Sequence, residues 1–242
     1  FASVIFLQSA LRPGQGCAMS SKQFINQSVF ILLTKFLSPC ISMFLSVVIA
    51  RYLGIICLGQ YAVLSNIFIC FNVIALMGLD TFVIREISKN VEESDAVLKN
   101  ALAICGVLSL MCMFGMVLLV YILNYSSEIK SLIVIVSLCL FPVAMSQIYE
   151  SVFIVYQKQQ YYFLVLLTGN VIKVAAGCFF IVHGFQLASL LWVTLVSCLL
   201  SAAGVFYYCH AELFPLKKPI MSIDLRSLKA NLSPVVFFAA IS

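Results

Sequence analysis

Six long apolar segments constrain the fold of this sequence more than any motif does. We place them at Ile25–Ala50, Leu58–Leu79, Leu98–Leu123, Leu132–Tyr156, Tyr161–Val182 and Leu187–Tyr208. About 20 apolar residues in a helix cross the hydrocarbon core of a bilayer, so each segment predicts one membrane span. Charged residues make up 10% of the chain, too few to cover a soluble domain. The sequence therefore predicts an all-α polytopic membrane protein.

Other classes of protein fit the sequence poorly. A membrane β-barrel needs strands in which apolar and polar residues alternate, and runs such as FLVLL do not alternate. The ten cysteines contain no C-x-x-C spacing, so we expect no disulfide framework and no metal site. The motifs G-x-x-x-x-G-K-[ST], G-x-S-x-G and H-E-x-x-H are absent. We therefore expect a transporter that is not an enzyme and has no cofactor.

The basic residues predict the orientation of the spans, because cytoplasmic connections are enriched in lysine and arginine. With a cytoplasmic N-terminus, the outer connections carry Arg51 and Lys130. The inner connections carry Lys22, Arg85, Lys89, Lys99, Lys158, Lys217, Lys218, Arg226 and Lys229. This asymmetry predicts a multi-pass protein whose N-terminus is cytoplasmic.

The regions outside the six spans complete the expected domain organisation. We expect residues 1–18 to be a non-native or disordered leader, because Met19 resembles a natural start; a secretory signal is the alternative. Residues 19–208 form the six-span lobe, and residues 209–230 form a basic cytoplasmic link that anchors the topology or binds anionic headgroups. Residues 231–242 begin a seventh span, at which we expect the chain to be truncated.

Lys35 is the first ionisable residue that lies deep within a predicted span. It stands about 15 Å into the first span, near the middle of the bilayer. Pro39 follows four residues later and has no N–H, so the Lys35 carbonyl loses its partner in the helix. Lys35 either lines an aqueous cavity and attracts an anion, or pairs internally with a carboxylate while Pro39, which we expect to kink the helix, merely shapes the bundle.

Lys173 lies in the middle of the fifth span on an unusual helix face. Gly169, Lys173 and Gly177 are four residues apart, and Asn170 lies beside them. Two glycines, an amide and a lysine do not make a lipid-facing surface. This face is either closely packed against another helix or open to a cavity, where Lys173 and Asn170 would contact substrate.

Two further charged residues are candidates. Glu150 lies in the fourth span, two turns after the predicted kink at Pro142, and could pair with Lys173 or Lys35 or take up a coupling proton. Arg51 ends the first span at the outer surface, where it binds substrate or extends to the interface.

The segment from Ala50 to Asn90 resembles the Wzx-type O-antigen and polysaccharide-biosynthesis flippases. The features that carry the resemblance are Ala50-Arg51-x-Leu53-Gly54, Gly59-x-Tyr61-Ala62, Gly78-Leu79-Asp80 and Arg85-Glu86-Ile87. More loosely, the likeness extends from Phe24 to Tyr208 through the spacing of the spans.

The resemblance implies a transporter of the multidrug/oligosaccharidyl-lipid/polysaccharide superfamily, built from two lobes of six spans. This chain would be the first lobe. It would flip an undecaprenyl-pyrophosphate-linked oligosaccharide to the outer leaflet of a bacterial inner membrane by alternating access, with a cationic cavity for the pyrophosphate. A polysaccharide polymerase and glycosyltransferases of the same pathway would be its partners, with no nucleic acid.

The resemblance also implies roles for the motif residues. Arg85 and Glu86 would fix the inner loop through an ion pair and helix capping, and Asp80 would cap the next segment. Two alternative functions stay open from the sequence. A cation-coupled multidrug exporter would use Glu150 as its embedded carboxylate, and a membrane-embedded glycan polymerase or acyltransferase would need a larger outer loop.

Overall fold

The computed structural model describes residues 21–89, 94–123, 125–183 and 187–212. The leader predicted at 1–18 and the seventh span predicted at 231–242 lie outside these residues, and the link predicted over 209–230 is described only to Glu212. Within the described ranges every regular element is an α-helix. This agrees with the all-α prediction.

Seven helices follow one another along the described chain. They are α1 (Ser21–Tyr52), α2 (Ile55–Leu76), α3 (Leu79–Lys89), α4 (Ser94–Ile122), α5 (Ser127–Val155), α6 (Gln159–Val182) and α7 (Leu187–Glu212). All of them except α3 are apolar and, at 22 residues or more, long enough to cross a bilayer; α3 continues the second span. A helix of that length covers about 33 Å, which exceeds the hydrocarbon thickness.

A left-handed break separates α2 from α3. Met77 and Gly78 have φ angles of 45° and 76°, and the Met77 N–H closes α2 on the carbonyl of Val73. Residues with positive φ angles end a helix, and Gly78 adopts its positive φ without steric cost because glycine has no Cβ. The helix predicted at Leu58–Leu79 therefore ends at Leu76, earlier than expected, and the short amphipathic helix α3 continues the span.

Helix α5 lies at the centre of the bundle. It packs extensively against α4 and α7 and also contacts α2, α3 and α6, whereas α1 packs along α6 and against α2. Half of the spanning stretch of α5 is buried, compared with 11% of that of α1. One side of α1 is therefore left without a packed neighbour in the described structure.

Two large apolar clusters lie at the two ends of the described bundle, and a small third one is formed by Ala75, Cys112 and Leu140. The first lies at the end that carries α3, here called the α3 end, and includes Leu79, Ile148 and Phe153. The second lies at the opposite end and includes Leu45, Met116 and Ile133. Burial of such side chains in both clusters fixes the relative heights of the helices.

Candidate functional site

The charged site of the bundle is an ion pair between α1 and α5. Lys35 Nζ lies 3.3 Å from Glu150 Oε1, and the two side chains are 68% and 10% exposed. Since α1 packs along α6 and not along α5, this pair bridges the two helices across their gap. Of the two partners that the sequence suggested for Glu150, the structure places Lys35 beside it.

The two members of the pair are held very differently. The exposed Lys35 extends on a flexible four-carbon stem, whereas Glu150 is buried against the bundle. Tyr162 of α6 is itself buried and lies near the Glu150 side chain. Because the carboxylate is buried and the ammonium is exposed, the ammonium is the member with more freedom to move.

Sequence reasoning missed Tyr162 because a tyrosine in an apolar span is usually a packing or interfacial residue. Nothing in the sequence around Tyr162 indicates that this residue lies next to α5. Knowledge of which helices are neighbours was needed to find it.

An amide pair adds polarity one helical turn from Glu150. Asn72 Nδ2 of α2 donates to Gln147 Oε1 of α5 at 3.2 Å. The Asn72 side-chain oxygen is buried without a hydrogen-bond partner, as are both amide atoms of Gln159 at the start of α6. Asn72 and Gln147 lie inside predicted spans and are visible in the sequence. Considering amides together with charged residues would have identified the surroundings of Glu150 as polar.

Lys173 lies elsewhere in the bundle. Its electrostatic neighbours include Cys139 on α5 and Cys198 on α7, and no carboxylate among the described residues lies within 4 Å of it. On α5, Cys139 near Lys173 is eleven residues away from Glu150. On α6, Lys173 is likewise eleven residues away from Tyr162, which lies near Glu150. The two sites are therefore about 16 Å apart along the helix axes. The structure does not bring Lys173 together with Lys35.

The glycines beside Lys173 are closely packed against other helices. Ser197 Oγ of α7 donates to the Gly169 carbonyl at 2.9 Å, and a Cβ at Gly169 would collide with Ser201. At Gly177, a Cβ would contact Leu45 of α1 and Leu190 of α7. Small residues here permit close approach of the helices, one of the two alternatives for this face.

Asn170 lies on the side of α6 that is next to α1. It lines a cavity of about 10 Å³ together with Thr34 and Ser38, and Ser38 directly precedes Pro39. A space of that size holds about one water molecule where polar groups surround it. Both prolines, Pro39 and Pro142, lie within continuous helices.

The remaining predicted residues lie at the ends of helices. Arg51 is exposed in the last turn of α1, and Gly54, with a φ of 89°, forms the turn that leads into α2. Gly59 is exposed on α2, with nothing within 4 Å of the position that a Cβ would occupy.

The motif at the α3 end is built from local contacts. Asp80 Oδ1 accepts the Thr81 N–H at 2.8 Å, and Glu86 pairs with Lys89 at 2.9 Å. Arg85 is exposed on the same short helix. In the parts of the chain that the structure describes, no three His, Cys, Asp or Glu side chains are grouped to hold a metal ion.

These features define the class of the protein: a multi-pass α-helical membrane protein with ionisable groups inside its spans. Residues 25–240 match the family described as polysaccharide biosynthesis protein, and the chain belongs to that family. No curated protein and no solved structure matches the chain.

Proposed function

We propose that the six spans form one lobe of a flippase that moves an undecaprenyl-pyrophosphate-linked oligosaccharide from the cytoplasmic to the outer leaflet. The lobe works by alternating access in a bacterial inner membrane, with its N-terminus in the cytoplasm. A second lobe faces α1, and the cavity between the lobes receives the pyrophosphate.

One observation carries the proposal: Lys35 is exposed on a membrane-spanning helix of a polysaccharide biosynthesis protein. A lysine at the centre of a span costs about 2.5–3.5 kcal/mol on insertion scales, so its exposed ammonium requires water or a polar partner. An anion about 4 Å away contributes about 4 kcal/mol at an effective dielectric of 20. Glu150 supplies one anion from within the bundle, and a phosphorylated lipid headgroup would supply another at the exposed side of the Lys35 ammonium.

The other charged residues act at different depths in this proposal. Arg51 meets the headgroup at the outer end of α1, while Lys173 and Asn170 favour anionic sugars near the interior of α6. Glu150 is already paired with Lys35, which disfavours the alternative of a cation exporter that needs a free carboxylate. The polymerase and glycosyltransferases of the pathway are the proposed partners.

The test is complementation of a bacterium that lacks its own flippase, using the full-length protein. We expect Lys35→Ala to reduce surface glycan about tenfold or more at unchanged protein level, because the headgroup loses its ammonium partner. The matched control is Lys89→Ala, which removes the lysine of the surface pair with Glu86. Full surface glycan in the Lys35 variant would contradict the proposed role of Lys35.

A further inference from the structure

An open apolar groove lies on α4 at the end of the bundle opposite the α3 end. It has a volume of about 270 Å³ and is lined by Gly115, Leu118, Leu119, Ile122 and Leu123. Gly115 contributes to this space because it has no side chain, at a point where Phe71 of α2 approaches α4. Sites for whole small ligands measure about 300–1,000 Å³, so this groove suits a narrow part of a ligand, such as one hydrocarbon chain.

The groove runs in the direction that a lipid chain takes in a bilayer. Ile122 and Leu123 lie where α4 ends, and Gly115 lies about 10 Å deeper along the helix axis. The end of a spanning helix lies near the lipid headgroups, and its middle lies in the hydrocarbon. An acyl chain that descends from the headgroups beside α4 therefore follows the groove along its length.

A lysine is held close to the end of the groove that lies at headgroup depth. Lys130, in the first turn of α5, places its Nζ 5.3 Å from the ring centre of Tyr121 on α4. Tyr121 follows Leu118 by three residues, so the two side chains share one side of the helix. Among the side chains that the structure describes, no carboxylate lies within 4 Å of the Lys130 ammonium. The ammonium is therefore available to a headgroup above the groove.

We propose that the groove and Lys130 form a binding site for one anionic phospholipid, whose acyl chain occupies the groove and whose phosphate meets the ammonium. A zwitterionic lipid carries a cationic group beside its phosphate, so it gains less from the lysine. The site is separate from the Lys35–Glu150 pair and does not rest on the proposed function. With the proposed cytoplasmic N-terminus, the lipid belongs to the outer leaflet.

The rest of the exposed side of α4 lacks this combination of a groove and a charge. Leu110, Met111 and Phe114 are exposed there, and α4 contains no charged residue between Lys99 and Tyr121. Contact with lipid along this stretch is therefore apolar and does not depend on the headgroup. Charge complementarity at one end of the groove is what favours an anionic phospholipid there.

The experiment measures lipid binding to the full-length protein in detergent by native mass spectrometry, which counts bound lipids. The probes are dioleoyl phosphatidylglycerol and dioleoyl phosphatidylcholine, which share their chains and differ in the net charge of the headgroup. Lys130→Gln should weaken binding of phosphatidylglycerol at one site about fivefold, the contribution of one lysine to an anionic headgroup, and should leave phosphatidylcholine nearly unchanged.

Two further lysine variants control for folding and for loss of charge elsewhere. Lys130→Arg keeps the positive charge and should keep the preference for phosphatidylglycerol, which separates the role of the charge from a role in folding. Lys89→Gln, at the α3 end, should have a smaller effect than Lys130→Gln, because Lys89 is already paired with Glu86.

A substitution in the groove tests the place of the acyl chain. Leu118→Trp puts a bulky ring into the groove and should weaken binding of both probes, whereas Leu110→Trp, on the exposed side of α4 outside the groove, should not. Lys130→Gln added to Leu118→Trp should cause no further loss of phosphatidylglycerol, because a lipid excluded from the groove no longer reaches the lysine.

The other outcomes overturn the proposal in different ways. Losses that multiply in the double variant would mean that the lysine and the groove act on separate lipids. An effect of Leu118→Trp without any effect of Lys130→Gln would mean that the groove accepts any lipid chain and that no anionic headgroup is selected. A dimer that appears in the mass spectrum and is lost in Leu118→Trp would assign the groove to a second copy of the chain.

Discussion

Helices α1 and α4 each expose one side along their length, and the two sides differ in chemistry. The exposed side chains of α4 are apolar up to its last turns: Val107, Leu110, Met111, Phe114 and Leu118. On α1, exposed apolar residues such as Phe36 and Met43 alternate with Lys35, Cys40 and Ser42. Equal exposure therefore does not imply equal surroundings. We infer that α4 faces lipid and that α1 faces a wetter, partly polar region.

The largest effect should come from placing a charge on the lipid-facing side. Met111→Lys puts an ammonium on the exposed side of α4, away from any carboxylate of the described pairs. We expect insertion of α4 to become less favourable by about 2.5–3.5 kcal/mol, or about a hundredfold in the inserted ratio. The measurement is an insertion assay on the span, with Met111→Leu as control. Insertion equal to that of the control would remove the distinction between the two helices.

Thiol accessibility sharpens the same comparison with a smaller effect. Cys40 is exposed on α1, five residues after Lys35. In a background without other cysteines, a membrane-impermeant charged maleimide should label Cys40 at least about tenfold faster than Met111→Cys, because thiolate forms and reacts in water. Labelling rates are measured in intact membranes. Equal rates would mean that α1 is no wetter than α4.

A third face, formed by Gly169 and Gly177 on α6, is closely packed against other helices and so differs from both exposed sides. Gly169→Ala places a methyl group against Ser201, whereas Gly59→Ala places one in open space. We expect the first to destabilise the bundle by about 1–3 kcal/mol through overpacking and the second to change little. Thermal unfolding in detergent measures both. A Gly169 variant as stable as the Gly59 variant would show that α6 and α7 are less closely packed than described.

The helices were largely predictable because a span needs a long apolar run, and such runs are visible without any tertiary information. The break at Met77–Gly78 was not predicted, since the apolar run continues through Leu79 and hides it. Hydropathy shows how long a segment is, but it does not show where backbone geometry ends the helix.

The site was predictable as a set of residues but not as an arrangement. Lys35, Glu150 and Lys173 were conspicuous as charges in apolar spans, yet the sequence allowed Glu150 either lysine as partner. The choice depends on which helices are neighbours and on their relative heights, which are set by packing across the bundle. Tyr162 was missed for the same reason, and the cavity roles of Arg51, Lys173 and Asn170 stay predictions.

The central position of α5 has a mechanical consequence. Its contacts with five other helices mean that tilting α5 alone would break interfaces throughout the bundle, whereas α1 can tilt by giving up contacts with α6 and α2. A lobe built in this way is rigid around the central helix α5 and more easily deformed at α1. Any reorientation would move α2 to α7 together as one body. The distance between Lys35 and Glu150 would then change with the angle between α1 and this body.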